Sequence, residues 1–212
     1  DGAEVFMYGQ GLLVGGTLEV KGNEFDKVIF TDDRLEESYE HRPGLWGGIQ
    51  FLASSDKNTI EWAEISNASA GILYGKPTDG AVDLTIENTI IRDMRYYGVQ
   101  SFSADIDMTN TLVTNCGQYS VACMIGGTYN INHCTFAEYQ FNFTRDDKVA
   151  ALRVSNVEDL GSGLIYGDLK FKMQNSIVWG EKGSSYEKEE VHIQYDGSNK
   201  DVDLDFGTTN II

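Results

Sequence analysis

The sequence predicts an all-β fold in which the chain winds into a solenoid of short strands, with about 22–23 residues to a coil. The first observation is a repeated segment, which reads NTIIRD at residues 88–93, NTLVTN at 110–115 and NSIVWG at 175–180. The second observation is the spacing, because two weaker copies at 62–67 and 133–138 place successive copies 26, 22, 23 and 42 residues apart. The third observation is a composition with 23 glycines, two prolines and 11% aromatic residues, which is typical of a turn-rich β protein.

The aligned copies share columns, meaning residues at the same position of successive coils. Apolar residues form one column two positions before each copy begins and another three positions after that start, while small residues lie between them. The three columns are Ile60, Ile86, Met108, Ile131 and Met173; Ile65, Ile91, Val113, Phe136 and Val178; and Ala63, Thr89, Thr111, Cys134 and Ser176. Inward residues that stack at the strand spacing of about 4.8 Å are typical of a parallel β-helix, so these columns are predicted to form its core.

The first residue of each copy is predicted to lie at a corner, where the strand direction changes. This corner column contains Trp62, Asn88, Asn110, His133 and Asn175. Asn adopts the left-handed conformation more readily than most residues, and its amide can bond to the same amide one coil away. We therefore expect an internal asparagine ladder, with a ligand site as the alternative, and interpret His133 as a corner residue rather than a metal ligand or base.

A second aromatic and apolar pattern follows each copy. The columns are Ile72, Val99, Val121 and Phe143, and, two residues earlier, Ala70, Tyr97, Tyr119 and Phe141. An exposed aromatic ladder would suit stacking on sugars. The shared parity with the apolar column favours an internal stack instead, whereas Arg95 and Tyr96, which are out of phase with it, are expected to face water.

The remaining segments divide into strands and polar inserts within one domain that spans residues 1–212. Residues 12–30 contain three short apolar pieces and are predicted to form three strands of one coil. Polar, charge-rich inserts are predicted near 31–44, 144–168 and 180–190. The second insert contains a predicted short strand at 150–154.

The segment DVDLDF at residues 201–206 alternates strictly, so Asp201, Asp203 and Asp205 are expected on one face of a strand. Calcium requires several oxygen ligands that converge from different directions. Carboxylates in a row along one strand diverge instead, so a solvated charged edge that discourages stray strand pairing is the favoured interpretation.

The net charge of the chain disfavours several classes of binding partner. Thirty-three acidic and sixteen basic residues give a formal charge of −17, which repels nucleic acid, anionic membranes and anionic polysaccharides. A neutral, cationic or calcium-bridged partner fits better.

The three cysteines, Cys116, Cys123 and Cys134, lack metal-site spacing and are predicted to be small buried residues. We find no apolar run long enough to span a membrane, and a start at Asp1 predicts a processed chain or a trimmed segment.

Four fragments carry a resemblance to known proteins: GTLEVKG at 16–22, PGLWGGI at 43–49, HCTF at 133–136 and NSIVWG at 175–180. With the columns, they resemble the right-handed parallel β-helix proteins of the pectin-lyase-like superfamily. More narrowly, they resemble a group of surface lipoproteins of Gram-negative gut-type bacteria. The resemblance covers nearly the whole chain and implies a right-handed β-helix that is lipid-anchored at the outer-membrane surface or secreted.

The same resemblance implies an enzyme alternative. Similarity to polygalacturonases would imply an Asn-Thr-Asp strand, a neighbouring aspartate pair, a Gly-His and an Arg-Ile-Lys, but residues 88–90 read Asn-Thr-Ile and the two other motifs are absent. Asp105 and Asp107 share a strand and are the candidate carboxylate pair for glycoside hydrolysis. His41 and His192 are predicted to stand isolated in polar loops, which disfavours a lyase.

The predicted function is a non-enzymatic binding or scaffold module, acting as an accessory lipoprotein of an outer-membrane TonB-dependent importer of glycans or peptides. The three polar inserts are expected to make the contacts with the ligand or partner protein. The alternatives are a polysaccharide lyase or glycoside hydrolase, and a structural adhesin or stalk whose coils continue past residue 212. We predict no catalytic residue, metal site or cofactor, and the sequence assigns no ligand-binding residue.

Overall fold

The computed structural model describes residues 2–75, 83–138, 150–161, 163–180, 190–197 and 200–211. Each coil passes through three faces, which we call faces A, B and C in the order the chain meets them. Neighbouring strands of each face pair in parallel, as predicted for a β-helix.

Face A contains β1 (Glu4–Met7), β4 (Val28–Asp32), β7 (Ala63–Ser66), β10 (Ile90–Met94), β12 (Leu112–Cys116), β14 (Thr135–Ala137), β19 (Ile177–Trp179) and β22 (Asn210–Ile211). Face B contains β2 (Leu12–Val14), β5 (Ile49–Phe51), β8 (Ile72–Tyr74), the first halves of β11 (Val99–Thr109) and β13 (Val121–Asn132), β15 (Leu152–Ser155) and β20 (Val191–Gln194). Face C contains β3 (Glu19–Lys21), β6 (Asn58–Glu61), β9 (Asp83–Glu87), the second halves of β11 and β13, β18 (Leu169–Gln174) and β21 (Val202–Asp205). Strands β16 (Val157–Asp159) and β17 (Leu164–Tyr166) form a separate antiparallel hairpin.

The predicted core columns are confirmed. On face C, Ile86 pairs in register with Ile60 on one side and with Met108 on the other. On face A, Ile91 lies between Ile65 and Val113 in the same way. Every member of the three columns is buried, because parallel strands in register place like positions directly above one another.

The left-handed backbone predicted for the corner column is also confirmed, but the prediction that its asparagine ladder lies inside the helix is wrong. All five members have left-handed φ values between 47° and 54°. Asn110 Nδ2 donates to Asn88 Oδ1 at 2.8 Å, whereas Asn175 Nδ2 donates to Asn132 Oδ1 rather than to another corner residue. The side chains are exposed or half-buried, because the corner turns them away from the core. The ladder is therefore external and short.

The tyrosine column requires a similar correction. Val99 and Val121 are buried as predicted, but Tyr97 and Tyr119 are half-buried at the corner that leads into face B, not inside the core. Their rings stack with centroids 6.2 Å apart and planes 4° apart, and the Arg153 guanidinium lies over Tyr119. Phe141 and Phe143, the last members of these columns, lie outside the described residues. Arg95 and Tyr96 are exposed, as predicted.

The predicted inserts have different outcomes. Strand β4 runs to Asp32, and residues 33–44 form a loop with one 3₁₀ turn at Glu37–Tyr39. The prediction for 144–168 is wrong in its middle, because β15 lies within the coil between β13 and β20 and the hairpin β16–β17 follows it. Of the third insert, only the ends at Gly180 and Glu190 belong to the described residues.

Candidate ligand-binding cleft

A cleft of about 710 Å³ lies where face B turns into face C, beside the hairpin β16–β17. Strands β11, β13 and β18 form its floor, and the segments that precede β18 and β21 form one wall. The polar side chains that line it are Ser103, Asp105, Thr128, Asp168, Lys170, Asp201 and Asp203. The cleft is within the usual volume range of a small-molecule site.

The backbone at this corner is strained. Ser103 has φ 51° and Ile125 has φ 61°, and the pairing of β11 with β13 shifts register between Phe102 and Ala104. A β-branched residue such as Ile125 rarely adopts the left-handed conformation. Ser103 Oγ donates to the Ile125 carbonyl at 2.6 Å and so ties the two strained residues together. Strained backbone of this kind concentrates at functional sites.

A buried hydrogen-bond network supports the strained corner from inside. Tyr129 OH donates to the Gly126 carbonyl at 3.0 Å, and Ser101 Oγ lies 2.9 Å from the same hydroxyl. Burial raises the pKa of Tyr129, so this hydroxyl stays protonated and serves as a structural donor. Gly127 has φ 112°, and a Cβ there would overlap the Ala104 carbonyl. Only glycine fits at this position.

The cleft is predominantly acidic. Asp105, Asp168, Asp201 and Asp203 contribute carboxylates, while Lys170 contributes the one ammonium group among the cleft-lining residues that the structure describes. Asp105 Oδ1 accepts a hydrogen bond from Thr128 N at 3.1 Å, which orients its carboxylate along the outer surface of β13. This charge favours neutral or cationic ligands over anionic ones.

A second groove of about 560 Å³ continues the cleft along the outer surface of face C. Its polar residues lie in register across the strands, as Asp107 on β11 pairs with Asn130 on β13, and Asn130 pairs with Lys172 on β18. Asn130 Nδ2 donates to Asp107 Oδ1 at 2.8 Å. A parallel row follows with Thr109, Asn132 and Gln174. The flank of face C therefore presents carboxylate, amide, hydroxyl and ammonium groups in ordered rows.

The predicted carboxylate pair, Asp105 and Asp107, lies on this outer surface. Both residues rise from one strand, where same-face neighbours are about 7 Å apart along the chain direction. Hydrolysis by two carboxylates requires one on each side of the scissile bond. Asp105 and Asp107 instead lie side by side on one strand, where Asp105 lines the cleft and Asp107 lines the second groove.

The prediction that His41 is isolated is wrong. Its Nδ1 lies 2.9 Å from the buried carboxylate of Asp93, so the loop 33–44 is tied to face A. Arg92 lies between Asp93, at 2.5 Å, and Glu64, at 2.8 Å. Burial alone would lower the pKa of Arg92, but the Glu64 and Asp93 carboxylates outweigh burial and raise it. Asn115 Nδ2 also donates to Asp93, at 3.1 Å, so this polar cluster anchors the loop and the corner.

The prediction that His192 lies in a loop is also wrong, because His192 lies on β20 in register with Arg153. His133 is an exposed corner residue, as predicted. Asp203 and Asp205 are exposed on β21 and in register with Lys170 and Lys172, so they form part of the polar flank. Within the ranges that the structure describes, no group of three or more His, Cys, Asp or Glu side chains could hold a metal ion.

The three cysteines are buried and unbridged, as predicted. Burial raises the pKa of Cys123 strongly and raises that of Cys134 to about 11. Both thiols are therefore protonated at neutral pH and act as small apolar residues.

Sequence reasoning missed the cleft itself. Ser103, Ile125 and Asp168 come from separate coils, and no pattern in the sequence relates them. One signal was available, because the doublet Gly126-Gly127 interrupts an apolar strand and such an interruption indicates a bulge or a close approach of two backbones.

These parallel coils, their inward columns and their left-handed corners define a β-helix protein. A family model described as the right-handed beta helix region matches residues 8–138, more than half of the chain. The chain therefore belongs to the right-handed β-helix family. Searches of curated proteins and of solved structures gave no match. No helix among the described residues has the length and apolar character needed to cross a bilayer.

Proposed function

We propose that this protein is a non-enzymatic binding module for a neutral glycan, which lies across the strands of face C. The observation that carries the proposal is the row of outward polar groups, from Asp107 through Asn130 to Lys172, held in register on three neighbouring strands. Carboxylates accept hydrogen bonds from sugar hydroxyls, while amide and ammonium groups donate to them.

The spacing of the flank supports an extended chain as ligand. Neighbouring strands are about 4.8 Å apart, which is close to the repeat of one sugar residue in an extended polysaccharide. A glycan that crosses β11, β13 and β18 would therefore meet a polar side chain at the same strand position at each step: Asp107, Asn130 and Lys172 in turn. A solenoid offers this kind of long, stiff binding surface.

The charge of the protein supports a neutral ligand. A formal charge of −17 and an acidic cleft oppose the approach of uronate polymers. The strained corner at Ser103 and Ile125 lies beside the cleft, and retained strain of this kind supports a functional role for the cleft.

We further propose that the module works at the bacterial surface or is secreted, as an accessory lipoprotein beside an outer-membrane importer. The support is the resemblance of the four sequence fragments to Gram-negative surface lipoproteins of the pectin-lyase-like superfamily. Affinity purification from the native outer membrane tests this placement. Co-purification of a TonB-dependent importer is expected, and recovery of the protein as a free monomer, without an importer, would contradict the accessory role.

Binding is tested by isothermal titration with soluble xyloglucan, galactomannan and mixed-linkage β-glucan, with polygalacturonate as the anionic comparison. The double variant Asp107→Ala, Asn130→Ala removes one charged and one neutral hydrogen-bonding group from the flank. The expected loss is about 2–4 kcal/mol of binding free energy, which weakens the Kd roughly 30-fold or more.

The matched control is the double variant Glu4→Ala, Gln50→Ala, which also removes one carboxylate and one amide, but from the outer surfaces of faces A and B. It should bind like the wild type. Binding to a neutral glycan should depend little on NaCl concentration, because it involves no long-range charge attraction. Equal losses in the two double variants, or tight binding of polygalacturonate alone, would refute the proposal. New reducing ends or unsaturated products in the same mixtures would favour the enzyme alternative.

A further inference from the structure

A separate groove of about 260 Å³ runs along the outside of the C–A corner. The corner column itself separates this groove from the polar flank of face C. Trp62, Asn88, Asn110 and His133 line it along the corner, and Ile90 and Leu112 form its floor on face A. The groove is smaller than the usual site for a drug-sized ligand and suits a short, compact one.

Trp62 is the unusual member of the corner column. It has φ 52°, as Asn88 does, but a bulky aromatic residue is far less suited to the left-handed conformation than Asn. Its backbone is fixed by two hydrogen bonds, from Val28 N to its carbonyl at 3.0 Å and from its own N–H to the Glu87 carbonyl at 3.1 Å. The strain is therefore retained at a half-buried ring that borders a groove, and retained strain of this kind points to function.

Two amides stand beside the ring. Asn110 Nδ2 donates to Asn88 Oδ1 at 2.8 Å, and this hydrogen bond orients both amide groups. Among the described residues, Asn88 Nδ2 and Asn110 Oδ1 have no hydrogen-bond partner. The amide pair thus has a free donor on Asn88 and a free acceptor on Asn110, and the half-buried side chains of Ile90 and Leu112 line the same groove. Each sugar hydroxyl can both donate and accept a hydrogen bond, so two hydroxyls of one sugar can use this donor and this acceptor.

We propose that the corner groove binds one neutral pyranose ring, with the apolar face of the sugar on Trp62 and two adjacent hydroxyls on Asn88 and Asn110. An indole ring offers the large, rigid apolar surface that the C–H face of a sugar covers. In its ligand class the inference rests on the proposed function, but it concerns a different site with its own residues.

The test is a titration of the ¹⁵N-labelled protein with methyl β-glucoside, methyl β-galactoside and methyl β-mannoside, followed by the Trp indole and Asn side-chain amide signals. We expect saturable shifts in the signals of Trp62, Asn88 and Asn110 for at least one sugar. The Trp46 indole is buried and donates to the Ser66 carbonyl, so its signal should stay unchanged.

The informative variant is Trp62→Asn, which introduces the residue found at three sister corners and removes the strained aromatic residue. It should fold with an unchanged or higher Tm and bind the sugar about tenfold or more weakly, as expected for the loss of one stacking contact. The control is Trp179→Phe on β19, four strands along face A from the strand that follows Trp62, and this variant should bind normally.

The outcomes separate this inference from the proposed function. Corner shifts that persist in the Asp107→Ala, Asn130→Ala variant support an independent site, and their loss in that variant assigns the shifts to the flank and overturns the inference. No saturable shift with any of the three sugars also overturns it, as does unimpaired sugar binding by Trp62→Asn. If the Trp62→Asn variant still binds the glycan at the flank, the proposed function stands whether or not the corner groove binds a sugar.

Discussion

Replacement of Ile91 by Ala tests the stacked core on which the whole β-helix depends. Ile91 is fully buried on β10, between Ile65 and Val113 of the neighbouring coils. The change removes three carbon atoms, which is worth about 2.4 kcal/mol of transfer free energy at roughly 0.8 kcal/mol each. The cavity left between the rigid coils raises the expected loss in the free energy of unfolding to about 3–4 kcal/mol. Urea unfolding followed by circular dichroism measures this loss.

The matched control is Ile90→Ala on the same strand. Ile90 is half-buried and points outward, so its truncation should cost less than about 1 kcal/mol. For a chain of this size the core variant should also lower Tm by roughly 6–16 °C. Equal losses for the two variants would refute the assignment of Ile91 to the inward face and Ile90 to the outward face. Such an assignment depends on the strand register, since a shift of one residue exchanges the two faces.

Three further outcomes are expected. Ser103→Gly should be more stable than Ser103→Ala by about 1 kcal/mol in urea unfolding, the reverse of the order in an ordinary strand, because only glycine is unstrained at φ 51°. Asp93→Ala should cost about 3 kcal/mol in the same assay, because it leaves the half-buried Arg92 without one of its two carboxylates; a cost no larger than that of a typical exposed carboxylate would contradict the assigned ion pair. Native Cys134 has a pKa of about 11, whereas an unfolded cysteine ionises near ~8.5, so the unfolded state loses its proton first as pH rises. Up to about 3 kcal/mol of stability, fully present below pH ~8.5, should therefore disappear towards pH 11, and Cys134→Ala should show a smaller pH dependence of its urea midpoint.

The core could be predicted because it depends on local order along the chain. Ile86 and Ile91 face inward for the same reason in every coil: strand side chains alternate, and the repeat returns each position to the same place. The left-handed corner at Asn88 could be predicted too, since Asn is the residue that tolerates that conformation. Trp62 and His133 follow it because the coil imposes the same backbone on less suitable residues.

Side-chain direction at the corners could not be predicted in the same way. Asn110 was expected inside and lies outside, and Tyr97 stacks on Tyr119 at the surface, because a corner breaks the alternation on which inward and outward assignments depend. The segment around Leu152 was assigned to an insert because its spacing departs from the repeat, yet it pairs within face B. A long insertion changes the spacing in sequence without changing the stacking of strands in space.

The class of fold, the columns of the core and the acidic character that disfavours anionic partners could all be inferred from the amino-acid sequence alone. Those properties follow from residue type, period and charge, which are all local or additive along the chain. The places where polar groups converge became visible only in the folded chain, which brings Asp105, Asp168 and Asp203 to one cleft and aligns Asp107 with Asn130. These residues come from different coils, and their proximity depends on strand register and corner geometry, which link positions that are far apart in the sequence.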